Sequence, residues 1–237
     1  MRYITVIFFA GILAGILIFW NDTVTRAPVH TSARGTESIR ENPFGGISLT
    51  ARAAYVFDVR TGNILYERNA ELQFPLASLA KVMSALVAHD IAPDATVTIT
   101  SEALAAEGDS GLLREERWNI SDLIDFTLMT SSNDGARALA SVGASFANKN
   151  SSLEHTFINR MNEKARALGM VQTFFLNETG LDEDGKTPGA YGSAKDVATL
   201  FTYIIHTKPD LFLATTRERA SISSFDASHT ATNTNII

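Results

Sequence analysis

The run Phe74-Pro75-Leu76-Ala77-Ser78-Leu79-Ala80-Lys81-Val82-Met83-Ser84-Ala85-Leu86-Val87-Ala88 surrounds a single lysine with apolar residues at every angle of a helix, not along one stripe. Such a helix has no face to give to water, so it belongs in the middle of a domain with other elements packed around it. Pro75 suits the start of that helix. Ser78 and Lys81 are three residues apart and share one helix face, which puts the amine within reach of the hydroxyl. Burial disfavours the charged amine, so part of it is neutral near pH 7 and able to accept the serine proton. The plain alternative is a helix with one serine and one lysine whose stem snorkels to the surface.

A second motif shifts the balance. Met129-Thr130-Ser131-Ser132-Asn133-Asp134-Gly135-Ala136 is a polar knot between two segments of helical character, and Ser131 with Asn133 forms an S-x-N signature. The stretch from Ser121 to Met129 is an amphipathic helix with Ser121 as its cap, and Asp134 opens the next through Ala136, Leu139, Ala140 and Val142. A short loop between packed helices can present a hydroxyl and an amide into a cleft. Ser131 would hydrogen-bond Lys81 and relay a proton to the leaving group, while Asn133 would hold a substrate amide. A polar interhelical turn built from Ser and Asn is the competing explanation.

With these motifs in place the chain resembles the D-alanyl-D-alanine carboxypeptidases, the low-molecular-mass penicillin-binding proteins of the serine S11 peptidase family. The likeness runs from the hairpin Ala54 to Glu67, through both motifs and Leu176-Asn177-Glu178-Thr179-Gly180-Leu181-Asp182, to Tyr191-Gly192-Ser193-Ala194-Lys195-Asp196-Val197-Ala198. The resemblance implies Ser78 as acylated nucleophile, Lys81 as general base, Ser131 as the second catalytic hydroxyl and Asn133 as a substrate-binding residue. It implies no cofactor and no metal. Its implied partners are a peptidoglycan stem peptide ending in D-Ala-D-Ala and β-lactam antibiotics as covalent inhibitors. The implied setting is the bacterial envelope, at the outer face of the cytoplasmic membrane.

One part of the family pattern is absent from the 237 residues. A Lys-Thr-Gly strand should follow Thr232-Asn233-Thr234-Asn235, and Lys186-Thr187-Pro188-Gly189 is no substitute, since it lies in a polar loop and Pro188 lacks a backbone N–H. In the family that strand supplies a cation for the terminal carboxylate and one oxyanion donor. A lost donor of this kind costs about two to three orders of magnitude in turnover. The expectation is therefore a C-terminally incomplete domain that is marginal in stability and labels poorly with penicillin. Tyr55, Phe57, Ile64 and Tyr66 should be exposed for want of sheet neighbours.

Mixed helices and mainly antiparallel strands indicate an α+β fold. The resemblance narrows this to a β-lactamase/transpeptidase-like arrangement, a helical cluster packed on an antiparallel sheet that here lacks its C-terminal strands. Three segments are expected: residues 1–20 as a membrane anchor or signal segment, 21–46 as a polar linker, and 47–237 as the carboxypeptidase domain. The apolar run from Tyr3 to Trp20 follows one basic residue and is close to the roughly 20 residues a membrane span needs, so residues 3–20 are expected to tether the chain. A net charge of −6 without a Lys/Arg run argues against nucleic acid as a partner. No cysteine is present, which excludes a thiol nucleophile.

Other readings are weaker. Gly108-Asp109-Ser110-Gly111 resembles the nucleophile segment of trypsin-like proteases, but His30 and His89 are poorly placed to serve it. His155, His206 and His229 lack metal-binding spacing and are expected at the surface or at helix caps. A β-lactamase of the same fold would need a deacylating carboxylate, for which no Glu-x-x-Leu-Asn segment follows Ser131. A catalytically inert wall-binding or scaffold module is the alternative from outside enzymology.

Overall fold

The computed structural model describes residues 44, 46–108, 111–146 and 153–235. The chain divides into two units, 1–41 and 42–237. The expected anchor and nearly all of the expected linker lie outside the described residues, as does the centre of the Gly108–Gly111 segment. No described helix is long and apolar enough to cross a membrane.

The second unit is α+β. A hairpin of β1 (Ala54–Phe57) and β2 (Ile64–Arg68) comes first, and then β3 (Phe74–Pro75) leads into α1 (Ala80–Ile91). Next come β4 (Thr96–Thr98), β5 (Arg117–Asn119), α2 (Ile120–Thr130), α3 (Asn133–Ala140) and α4 (Leu153–Ala167). The order closes with β6 (Phe174–Phe175), β7 (Ala190–Gly192), α5 (Ala194–Thr207), β8 (Arg219–Ser223) and β9 (Ser228–Thr232). Every pairing is antiparallel, but the described strands form four small sheets, β1-β2, β3-β7-β6, β4-β5 and β8-β9, and not one broad sheet.

Helix α1 is the centre. Every residue from Ala80 to Ala88 is buried, and α2, α3 and α4 pack around it. This is the outcome that an all-round apolar helix requires. Its core neighbours include Trp118, Leu123, Phe126, Leu139, Phe157 and Met161. The helix begins later than the sequence pattern suggested. Pro75 belongs to β3, opposite Tyr191, and Ala77–Leu79 forms a tighter 3₁₀ turn that feeds into α1. Leu76 donates to Ala190 O, so the sheet, not a proline at the first helical position, fixes the entry.

Caps refine two other boundaries. Asn119, not Ser121, caps α2 by accepting from Ser121 N at 2.9 Å, because its extended backbone turns the side chain back over the first turn. Ser132, not Asp134, caps α3 by accepting from Gly135 N at 2.8 Å. Ser193 caps α5 as its sequence position suggested, and Gly169 ends the α4 region with φ +74°.

The exposure expected along the β1-β2 hairpin is only partly seen. Val56 and Ile64 are 46% and 51% exposed, whereas Tyr55, Phe57 and Tyr66 are half-buried. The Tyr55 and Phe57 rings pair at 5.4 Å on the alternate face of β1, the strand that contacts α5.

His229 departs from the surface position expected of it. It completes a three-ring cluster with Trp118 and Phe126, at 5.1 and 5.7 Å from them, and bonds Glu116 Oε1 through Nε2 at 2.5 Å. Ser224 Oγ donates to the same carboxylate at 2.6 Å and Arg117 pairs with Asp226 at 2.8 Å, so this polar cluster fastens the β8-β9 hairpin to β5 and α2. His206 is exposed on α5, as expected, and the His155 side chain lies outside the described residues.

Candidate active site

The α1 entry sets the first part of the site. The Ala77–Leu79 turn leaves Ser78 exposed on its rim while Lys81, one turn on, is 2% exposed. Lys81 Nζ donates to Ser78 Oγ at 2.9 Å and to the Thr179 carbonyl at 3.1 Å. Burial pushes the Lys81 amine down to about 8, and the negative charge of Glu178 offsets part of that fall. An amine poised there is neutral in about one molecule in ten at pH 7.

Backbone strain brackets the nucleophile. Ala77 holds φ +46° and Ser131 holds φ +56°, both in the left-handed region that non-glycine residues enter at a cost of roughly 1 kcal/mol. At Ser131 this conformation ends α2 and redirects the chain into the Ser132 cap of α3, and the Ser132 N–H closes the turn on Thr127 O.

Ser78, Lys81 and Ser131 line one cavity of about 570 Å³. Its apolar wall includes Leu128, Phe201 and Phe212, the last two stacked at 5.1 Å. Its far wall includes Thr215, Thr216, Thr234 and Asn235. Asn233 fixes that wall: its amide donates to Thr215 O and Arg217 O, while Thr234 N donates to Met129 O two residues before Ser131. The structure therefore brings three of the four sequence-selected residues to one cavity. Asn133 is not among that cavity's lining residues; its side-chain amide donates to Glu107 O at 2.6 Å.

A turn that carried no role in the sequence reasoning holds the lysine. Asn177 Oδ1 accepts from Thr179 N, Thr179 Oγ1 and Gly180 N, and its amide donates to Leu181 O and Glu183 Oε1. This rigid turn aims Thr179 O at Lys81, and the Glu178 carbonyl accepts from Ser84 Oγ at 2.7 Å. The available signal was the polar run Asn177-Glu178-Thr179-Gly180 between Leu176 and Leu181, rich in turn-forming types. Among the described residues no group of three His, Asp or Glu is placed to hold a metal ion.

The profile of the peptidase S11 family, described as D-alanyl-D-alanine carboxypeptidase, matches residues 37–237. The chain belongs to that family. It is 32% identical over 170 residues to the D-alanyl-D-alanine carboxypeptidase DacD of Escherichia coli, covering 66% of this chain and 41% of the relative. It is 30% identical over 165 residues to DacF of Bacillus subtilis, covering 67% and 41%. The chain thus spans about two fifths of the length of these curated relatives. Penicillin-binding protein D2 from Listeria monocytogenes, solved in an ampicillin-bound form, superposes with a TM-score of 0.64 at 30% identity, over 80% of this chain and 74% of that one.

Proposed function

We propose that this chain carries the acyl-transfer centre of a serine-type D-Ala-D-Ala carboxypeptidase that trims peptidoglycan stem peptides and is acylated by β-lactams. The observation that carries this reading is the 2.9 Å contact between the rim hydroxyl of Ser78 and the buried amine of Lys81. A hydroxyl is a poor nucleophile until a base removes its proton, and a lysine held near 8 is such a base at neutral pH.

In this mechanism Ser78 Oγ attacks the carbonyl of the penultimate D-alanine as Lys81 takes the hydroxyl proton. The C–N bond to the terminal D-alanine then breaks, and the proton passes from Lys81 through Ser131 to the leaving amine. Water adds to the Ser78 ester, the C–Oγ bond breaks, and Ser78 recovers its proton. Asn133 holds a substrate amide once its bond to Glu107 O is exchanged. The apolar wall of Leu128, Phe201 and Phe212 supports packing of alanine methyls or the body of a β-lactam. The apolar run from Tyr3 to Trp20 supports a membrane-tethered place of action in the bacterial envelope.

Intact-mass analysis after incubation with benzylpenicillin tests the reading. A single lasting adduct that maps to Ser78 and is absent from Ser78→Ala supports it. Rapid loss of the adduct with penicillin turnover points to a lactamase, and a Ser78 left unmodified after saturating exposure even in a chain that carries a Lys-Thr-Gly strand rejects the acyl-transfer assignment.

A further inference from the structure

Glu178 is a nearly buried carboxylate. Its side chain is 2% exposed, and its one ion pair is to Arg137 Nε at 3.2 Å through Oε1. Oε2 is buried with no hydrogen-bond partner. A buried charge that is only half paired is costly, so it persists where something nearby gains from it. The gain lies on α1. The Glu178 carbonyl takes the Ser84 hydroxyl and the next carbonyl in the chain takes the Lys81 ammonium, while the Glu178 charge offsets part of the fall that burial imposes on the Lys81 amine.

We propose that Glu178, held by Arg137, is a positioning residue for the general base: it anchors the peptide that carries Thr179 against α1 and so fixes the carbonyl that takes the Lys81 ammonium. This deepens, and rests on, the reading of Lys81 as base. Without a nearby anion, burial alone would drive the amine further down, giving a neutral but weaker base. Arg137 acts in the opposite sense. It is 41% exposed, lines with Glu178 a separate cavity of about 280 Å³ beside Thr98, Thr100, Glu102 and Ser141, and neutralises part of the Glu178 charge.

Among the described residues, the hydrogen bonds that tie a carboxylate's own peptide to Lys81 and Ser84 belong to Glu178, although other ionisable groups, buried Asp134 included, lie on the elements packed around α1. Asp122 and Asp125 on α2 interact with each other and Asp125 with Arg217. On α4, Lys164 pairs with Asp90 and Arg160 with Glu163. Arg166 is also on α4, and Asp134 accompanies Arg137 on α3. Glu178 is the charged group coupled to Lys81.

The test is an NMR titration of the full chain with ¹³C-labelled lysine side chains, with the Lys81 resonance assigned by its loss in K81R. Glu178→Gln keeps shape and removes charge; the Lys81 midpoint should fall by about half to one pH unit. Arg137→Gln should raise it, because the carboxylate is then less neutralised. Opposite shifts support the proposal. An unmoved midpoint in a folded E178Q, or shifts of the same sign in both variants, overturns it. If E178Q does not fold, R137Q alone decides: a midpoint that rises supports, one that stays or falls overturns. The readout needs no acylation, so failure of Ser78 to react with penicillin would reject the base assignment without touching this result.

Discussion

Gly180 stands so close to Ala77 that a Cβ on it would come within 1.9 Å of the Ala77 carbonyl oxygen. The turn that anchors Lys81 through Thr179 is thereby pressed against the turn that carries Ser78. Gly180 also holds φ +78°, so any side chain there is strained twice over. Gly180→Ala should cost about 2 kcal/mol or more in urea unfolding and slow Ser78 acylation, because relief of the clash must move one of the two turns. A variant with unchanged stability and rate would show that the two turns are not mechanically linked.

Ser131 offers the reverse relation between stability and chemistry. It spends left-handed backbone strain at the end of α2, and glycine would not. Ser131→Gly should leave thermal stability equal or higher by up to about 1 kcal/mol, while acylation falls by about 100-fold or more through loss of the relay hydroxyl. A stable variant that acylates at the wild-type rate would remove Ser131 from the mechanism.

The buried amine makes stability depend on pH with a definite sign. Burial lowers the folded-state pKa of Lys81 from 10.5 to about 8, so carrying its charge penalises folding. The penalty is full below pH 8 and is relieved as pH climbs from 8 towards 10.5. Lys81→Met should therefore be the more stable protein at pH 7, by about 1–3 kcal/mol, with the advantage shrinking towards pH 10 in paired denaturant curves. A gap that does not change with pH would contradict the buried-amine account.

Glu116 works in the other direction. Burial raises its carboxyl pKa, but hydrogen bonds from Ser224, His229 and Leu113 N outweigh that and hold it below 4.5. Its contribution is present above the unfolded-state value and lost as pH falls through the lower folded value. Glu116→Gln should loosen the β8-β9 hairpin and cost about 1–3 kcal/mol at pH 7, with a smaller difference in acid. Equal stability at both pH values would mean the polar cluster does not fasten the hairpin.

Much of this was legible in the sequence because local rules agreed with the fold. The apolar ring around Lys81 gave a central helix, three-residue spacing gave the Ser78 contact, and Ser193 and Gly169 marked helix ends. What was illegible depended on distant neighbours. Pro75 read as a helix start, but Tyr191, far along the chain, claims it for a sheet. Nothing near His229 in sequence says that it bonds Glu116 and packs against the Trp118 and Phe126 rings. The bond from the Asn133 amide to Glu107 O likewise joins segments that nothing local in the sequence connects. The Asn177–Gly180 turn showed its turn-forming types, but its task of holding Lys81 exists only once α1 is packed beside it.

The central claim is that a buried Lys81 acts as the base for Ser78. The most direct test is the rate of Ser78 acylation by benzylpenicillin from about two pH units below to about two above the expected midpoint, followed by mass spectrometry beside the Lys81 titration. The account predicts a rate that rises about tenfold per pH unit on the acid side and levels off near pH 8, at the Lys81 midpoint. A rate indifferent to pH across that range, or a midpoint displaced from that of Lys81, would contradict it.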